Sequence, residues 1–243
     1  MRSFTKIMLA AVLFTGSAYN TFANINSMYA KPAHGTDDRK VSGFNGVSVA
    51  GSFTVYIKQG STESVKVDAP DDILSRIITE VNGGVLKIHY NNENWSWNGS
   101  SKKVTIYVTA KDLNSISIAG SGDIFFEDGI KTGTLRLSVT GSGDIAGKVD
   151  VKTLDSKVTG SGDIKVNGRA GESNVKVTGS GDFEGGDLAT VNTAVKVVGS
   201  GDAKVNASDK VDAAVAGSGD VHFNRGAKQV NKSKAGSGDI SSY

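Results

Sequence analysis

The sequence predicts an all-β protein, a right-handed parallel β-helix over its C-terminal half continuous with a less regular β region before it. Three observations carry this reading. The phrase Gly-Ser-Gly-Asp begins at Gly120, Gly141, Gly160, Gly179, Gly199, Gly217 and Gly236, at intervals of 21, 19, 19, 20, 18 and 19 residues. A phrase recurring at so nearly constant a period marks a structural unit that buries its apolar face only by stacking on its neighbours. Before each phrase apolar and polar residues alternate. The second residue back is Ile118, Val139, Val158, Val177, Val197 and Val215, and the third is Ser117, Ser138, Lys157, Lys176, Lys196 and Ala214. That alternation is a short strand with one buried face. After each Asp comes Ile124, Ile145, Ile164, Phe183, Ala203, Val221 or Ile240, which starts a second strand. Equivalent strands of successive repeats pair only in parallel, about 4.8 Å apart, so six intervals stack to roughly 29 Å. Parallel crossovers are almost always right-handed, which sets the expected hand.

The chain starts with an export signal. Arg2 and Lys6 precede the apolar run Ile7 to Phe14, followed by small residues and a cleavage position after Ala23. That layout belongs to a secretory signal peptide, residues 1–23, and the run is far shorter than the roughly 20 apolar residues of a membrane span. Residues 24–40, with Lys31-Pro32 and Asp37-Asp38-Arg39-Lys40, show no periodicity and read as a polar linker. A single domain is expected over residues 41–243. Its irregular β part, 41–118, contains the strand patterns Val47-Ser48-Val49, Phe53 to Ile57, Val65-Lys66-Val67, Val85 to Tyr90 and Val104 to Val108. Apolar residues at 74, 77, 78 and 81 have helical spacing, and the acids Asp71 and Asp72 suit a helix N-terminus, so one brief helix or helical turn is expected from about Asp71. Asn82-Gly83-Gly84 is a turn. The Gly-Ser-Gly-Asp repeats fill residues 119–243.

Composition narrows the function. Fourteen of the 31 Gly lie in the repeated phrases, so the glycine content belongs to turns and not to a flexible linker. Cysteine is absent, which excludes a disulfide framework and a thiolate site. The net charge of +2 disappears with Arg2 and Lys6 on cleavage, and nothing points to a nucleic-acid or anionic-membrane partner.

Phe44-x-x-Val47 followed by Gly51-x-Phe53-x-Val55-x-Ile57, the turn Asn82-Gly83-Gly84 before Val85-Leu86-x-Ile88, and Leu113-x-x-Ile116 running into Gly120-Ser121-Gly122-Asp123 together resemble the auto-transporter adhesins with a head GIN domain. The resemblance covers about Phe44 to Tyr243. It implies an exported bacterial protein, a pectin-lyase-like β-helical solenoid and a role in adhesion, and it implies no catalytic residues.

Candidate sites follow from the repeats. The column Asp123, Asp144, Asp163, Asp182, Asp202, Asp220 and Asp239 stacks carboxylates about 5 Å apart, a spacing compatible with Ca²⁺. The favoured reading is that each Asp caps its own turn: like charges at that distance repel by about 0.9 kcal/mol in water, less than the roughly 1.5–3 kcal/mol of a hydrogen bond to a carboxylate. Paired carboxylates about 5–5.5 Å apart also occur in retaining glycosidases, but seven equivalent Asp do not separate an acid from a base. His34, His89 and His222 are scattered. The loop around Asn94, Trp95, Trp97 and Asn98 offers flat apolar faces beside amides and is the candidate ligand contact for a glycan or protein, with burial of the Trp side chains as the alternative. Lys157, Lys176 and Lys196 form an outward row, read as a solubility device. Lys232 and Lys234 stand where earlier repeats are apolar and read as a polar cap. The expectation is a non-catalytic binding or adhesion module of the bacterial envelope that needs no cofactor. A structural envelope protein is the alternative, and a polysaccharide-active enzyme comes third.

Overall fold

The computed structural model describes residues 34–91 and 103–243. The strands are β1 (His34–Arg39), β2 (Gly46–Gly51), β3 (Thr54–Gln59), β4 (Ser64–Pro70), β5 (Ile77–Asn82), β6 (Val85–Tyr90), β7 (Thr105–Ala110), β8 (Ser115–Gly120), β9 (Asp123–Gly141), β10 (Asp144–Gly160), β11 (Ile164–Gly179), β12 (Phe183–Gly199), β13 (Ala203–Gly217), β14 (Val221–Phe223), β15 (Gln229–Gly236) and β16 (Ile240–Ser242), with the single-turn helix α1 (Asp71–Leu74) after β4. All of them join one 16-stranded sheet, wound into a solenoid of about seven turns.

The repeated glycines lie directly over one another. Gly120 pairs with Gly141, Gly141 with Gly160, Gly160 with Gly179, Gly179 with Gly199, Gly199 with Gly217 and Gly217 with Gly236. An eighth corner precedes them: Gly51 pairs with Gly120 and Thr54 with Asp123, so Gly51-Ser52-Phe53-Thr54 turns as Gly-Ser-Gly-Asp does. The first glycine of each corner has positive φ, between 114° and 141° from Gly51 to Gly236. The third is held to glycine by stacking, because a Cβ on Gly162 would fall 2.0 Å from the Gly143 carbonyl oxygen. Phe53 stands at this position in the first corner. Its ring is fully buried and lies 4.5 Å from that of Tyr90, which closes the glycine column with an aromatic pair.

Unequal repeat lengths are absorbed on one side only. The 21-residue coil ending at Gly141 and the 19-residue coil above it fall out of step between Phe126 and Ile130, opposite Gly147 and Val149. Later shifts also lie in the segment leaving the corner, at Lys165/Gly168, Glu184/Ala189 and Thr190/Asn192. The segment entering each corner stays in register throughout. The interior is filled by columns such as Val139, Val158, Val177, Val197 and Val215, all buried. Large and small residues alternate where space demands it. Gly147 leaves room for the Phe126 ring, which a Cβ there would approach to 2.1 Å, and Phe183 faces Ala203.

The first rungs are assembled out of chain order. The pair β2–β3 lies between β6–β7 and β8–β9, since β2 pairs with both β6 and β8 and β3 with both β7 and β9. Antiparallel β5 edges β6, while β4 and then β1 extend the sheet beyond β7. Two sequence expectations change here. Residues 34–39, expected within a polar linker, form β1, which pairs along its whole length with residues 65–70 of β4. It shows no apolar alternation because it is an edge strand, and charge on an edge is what keeps other strands from adding to it. The helical turn expected from about Asp71 forms at Asp71–Leu74, but the helically spaced residues beyond it, Ile77–Asn82, are the strand β5. The positive-φ pair Gly83 and Gly84 makes the tight hairpin that commits the preceding apolar residues Ile77, Ile78 and Val81 to pairing with β6. At the other end β15 is exposed along its length. Lys232, in register with buried Ala213, donates from Nζ to the Ile240 carbonyl at 2.8 Å and lies 4.9 Å over the Phe223 ring, covering the end of the core with a cation.

Candidate binding surfaces

The Asp column is a spine of main-chain contacts that climbs from rung to rung. The N–H of Asp163 donates to Asp144 Oδ1 at 2.9 Å, and the pattern continues through Asp182 to Asp163, Asp202 to Asp182, Asp220 to Asp202 and Asp239 to Asp220 at 2.7–2.8 Å. The carboxylates of Asp144, Asp163, Asp182, Asp202 and Asp220 therefore serve the next turn, where the sequence suggested their own. In-register stacking brings the next rung's N–H over the carboxylate, while the first glycine's carbonyl already accepts from the Ser and third Gly of that rung. At the foot of the column burial, together with the neighbouring charge of Asp144, raises the Asp123 carboxyl above its usual range, partly offset by a main-chain hydrogen bond from Asp144. Among the described residues no three His, Cys, Asp or Glu side chains gather as a metal centre.

The three histidines stay apart. His34 Nδ1 meets Asp68 at 2.8 Å, His89 Nδ1 meets the Tyr90 carbonyl at 3.0 Å, and His222 Nδ1 meets Ser241 Oγ on the next rung at 3.1 Å. The ligand-contact candidates Asn94, Trp95, Trp97 and Asn98 lie outside the described residues, as does the signal peptide.

An exposed aromatic ladder crosses the first rungs. Tyr107, Tyr56 and Phe125 are in register on β7, β3 and β9, all pointing outward. The Tyr107 and Tyr56 ring centres are 5.6 Å apart with planes 16° from parallel, and Tyr56 and Phe125 are 5.5 Å apart at 28°. Tyr56 is 41% exposed and Tyr107 46%. Beside them Lys58 Nζ and Asp128 Oδ2 stand 3.5 Å apart, and with Thr109 they complete a depression of about 370 Å³. Flat apolar rings edged by a cation, a carboxylate and a hydroxyl can take the C–H face of a ring ligand while hydrogen-bonding its rim. Sequence reading missed this ladder, because the three residues come from strands that are not consecutive.

A second surface lies on the segments entering the corners, where Lys157, Lys176 and Lys196 stack in register and project outward. Ser138 and Ala214 end the column.

A solenoid of in-register corners with such columns on open faces defines a repeat-built all-β protein of the β-solenoid class. The chain belongs to the family described as "putative auto-transporter adhesin, head GIN domain", whose model matches residues 43–227. Solved structures agree. A putative adhesin from Bacteroides fragilis is 27% identical with a TM-score of 0.79, over 87% of this chain and 99% of that one. A putative lipid binding protein from Parabacteroides distasonis is 22% identical with a TM-score of 0.70, over 88% and 98%. A putative adhesin from Parabacteroides merdae, at 16% identity and a TM-score of 0.68 over 88% and 97%, shares the fold. No curated protein matches the chain.

Proposed function

We propose that the protein is an exported, non-catalytic adhesion module of the bacterial envelope that recognises a glycan on the aromatic ladder Tyr107–Tyr56–Phe125. The carrying observation is the exposure of two stacked tyrosines on an open sheet face. Large aromatic rings are normally mostly buried, and contiguous exposed apolar surface marks an interaction site. Export is supported by the signal-like residues 1–23 and by family membership, and no helix among the described residues is long and apolar enough to cross a membrane. Binding without turnover fits a column of carboxylates engaged by main-chain N–H groups and histidines held on separate strands.

The test is a glycan microarray probed with the protein and with its Tyr56→Ala/Tyr107→Ala variant. Binding to a related set of glycans, reduced at least tenfold in the variant, is expected. No bound glycan, or equal binding by the variant, contradicts the assignment.

A further inference from the structure

The lysine row carries a second site of different chemistry. Two outward columns run along the segments that enter the corners. One holds Lys157, Lys176 and Lys196, and the other, two residues earlier on the same strands, holds Asp155, Asn174 and Asp212 with Ala194 between the last two. An open groove of about 480 Å³ lies between them, parallel to the solenoid axis. The two walls differ in how their charges are satisfied. Asp155 accepts from Asn174 Nδ2 at 2.9 Å and lies 3.7 Å from Arg136 Nε, while Asp212 accepts from Asn231 Nδ2 at 2.7 Å and pairs with Lys210 at 2.6 Å. The partners of Asp212 hold its carboxyl below the usual carboxylate range, Lys210 first and then Asn231. No carboxylate pairs with Lys157, Lys176 or Lys196 among the described residues, whereas Lys58, Arg169, Lys210 and Lys228 each have one.

Three uncompensated ammonium groups on adjacent rungs repel one another, and their stems line the groove with apolar surface. A solubility device needs charge on the surface but no stacking of like charges. A polymer with an anion at short regular intervals relieves the repulsion along the whole column. We propose that this groove binds a strand of acidic polysaccharide laid along the solenoid axis, its carboxylates or sulfates on the lysines and its hydroxyls on Asp155 and Asn174. The opposite wall decides against nucleic acid. Duplex DNA carries one phosphate per roughly 1.7 Å of axis, far denser than these cations, and offers a carboxylate wall no comparable row of hydroxyl donors. This site lies on a different strand segment from the aromatic ladder and goes beyond the reading given for it, so either can fail alone.

The test is affinity chromatography and calorimetry of the whole protein with polygalacturonate and dextran sulfate, against neutral dextran, duplex DNA and phosphatidylserine vesicles. Expected results are binding to at least one acidic polysaccharide that weakens with salt, no binding to neutral dextran, and at least tenfold weaker binding by Lys157→Ala/Lys176→Ala/Lys196→Ala. The corresponding triple Arg variant retains binding. The single Lys176→Glu variant, which places one carboxylate mid-column, weakens binding severalfold and serves if the triple variant fails to fold. The proposal is overturned if neither acidic polysaccharide binds, if the Ala and Glu variants bind as the wild type does, or if DNA or vesicles bind equally well.

Discussion

Gly162 has no room for a side chain: a methyl group there would meet the Gly143 carbonyl oxygen at 2.0 Å, and backbone cannot step aside as a flexible side chain can. Gly133 is exposed, has nothing within 4 Å and does not adopt positive φ. Gly162→Ala is therefore expected to cost more than about 2 kcal/mol in a denaturant titration, near the upper part of the range for overpacking. Gly133→Ala is expected to be neutral or to stabilise by up to about 1 kcal/mol. Asp163→Ala leaves the Asp182 N–H without its acceptor and is expected to cost about 1–2 kcal/mol, with Asp163→Asn recovering much of that because its amide oxygen still accepts. Charge predicts opposite pH dependences at two sites. The Asp150 carboxyl is held low chiefly by its hydrogen bond from Arg169, so that contact stabilises at neutral pH and is lost as pH falls through the lowered folded-state value. Arg169→Ala should melt slightly below wild type at pH 7 and match it once Asp150 is protonated. The Asp123 carboxyl is raised, so its ionisation opposes folding as pH rises, and Asp123→Asn should melt at or slightly above wild type at pH 7 and converge with it in acid. At this scale the recurring Gly and Asp were legible because each repeat imposes the same constraint. The direction of the Asp bonds was not, since it depends on which rung's N–H is nearest.

Among the elements, the strand entering each corner was the most legible. Its alternation and fixed distance from the corner reflect a register that never slips, whereas every insertion falls on the strand that leaves. A Gly-Ser insertion between Gly147 and Lys148, which gives that coil the 21 residues of the one below, should lower the melting midpoint by a few degrees. The same insertion between Ser156 and Lys157 should abolish cooperative unfolding, because it displaces the paired columns over the whole segment. The misread elements have physical reasons. The spacing 74, 77, 78, 81 fits a helix, yet a short apolar run before a glycine hairpin also fits a strand, and pairing with β6 decided it. An edge strand such as β1 is held by main-chain pairing, which leaves no apolar pattern to read.

For the molecule as a whole, each coil contacts mainly its neighbours, so stability grows coil by coil and the ends need protection, here β1 at one end and Lys232 at the other. The parallel stack was readable because one phrase recurs seven times. The aromatic ladder was hidden because β2–β3 inserts between β6–β7 and β8–β9, bringing Tyr107, Tyr56 and Phe125 together from 18 to 69 positions apart in sequence. The lysine row was visible as a pattern, but its lack of partners and the groove beside it are properties of the packed chain. Both faces follow from one arrangement, a rigid stack that turns sequence repetition into columns of side chains. Hydroxyl-radical footprinting read by mass spectrometry, with and without the best-bound glycan of the array, tests the recognition claim at the residues themselves. The account predicts protection of Tyr56, Tyr107 and Phe125, no protection of Tyr243, which is 45% exposed, and recovery of the glycan at its original length. Unprotected ladder residues, or a shortened glycan, would contradict it.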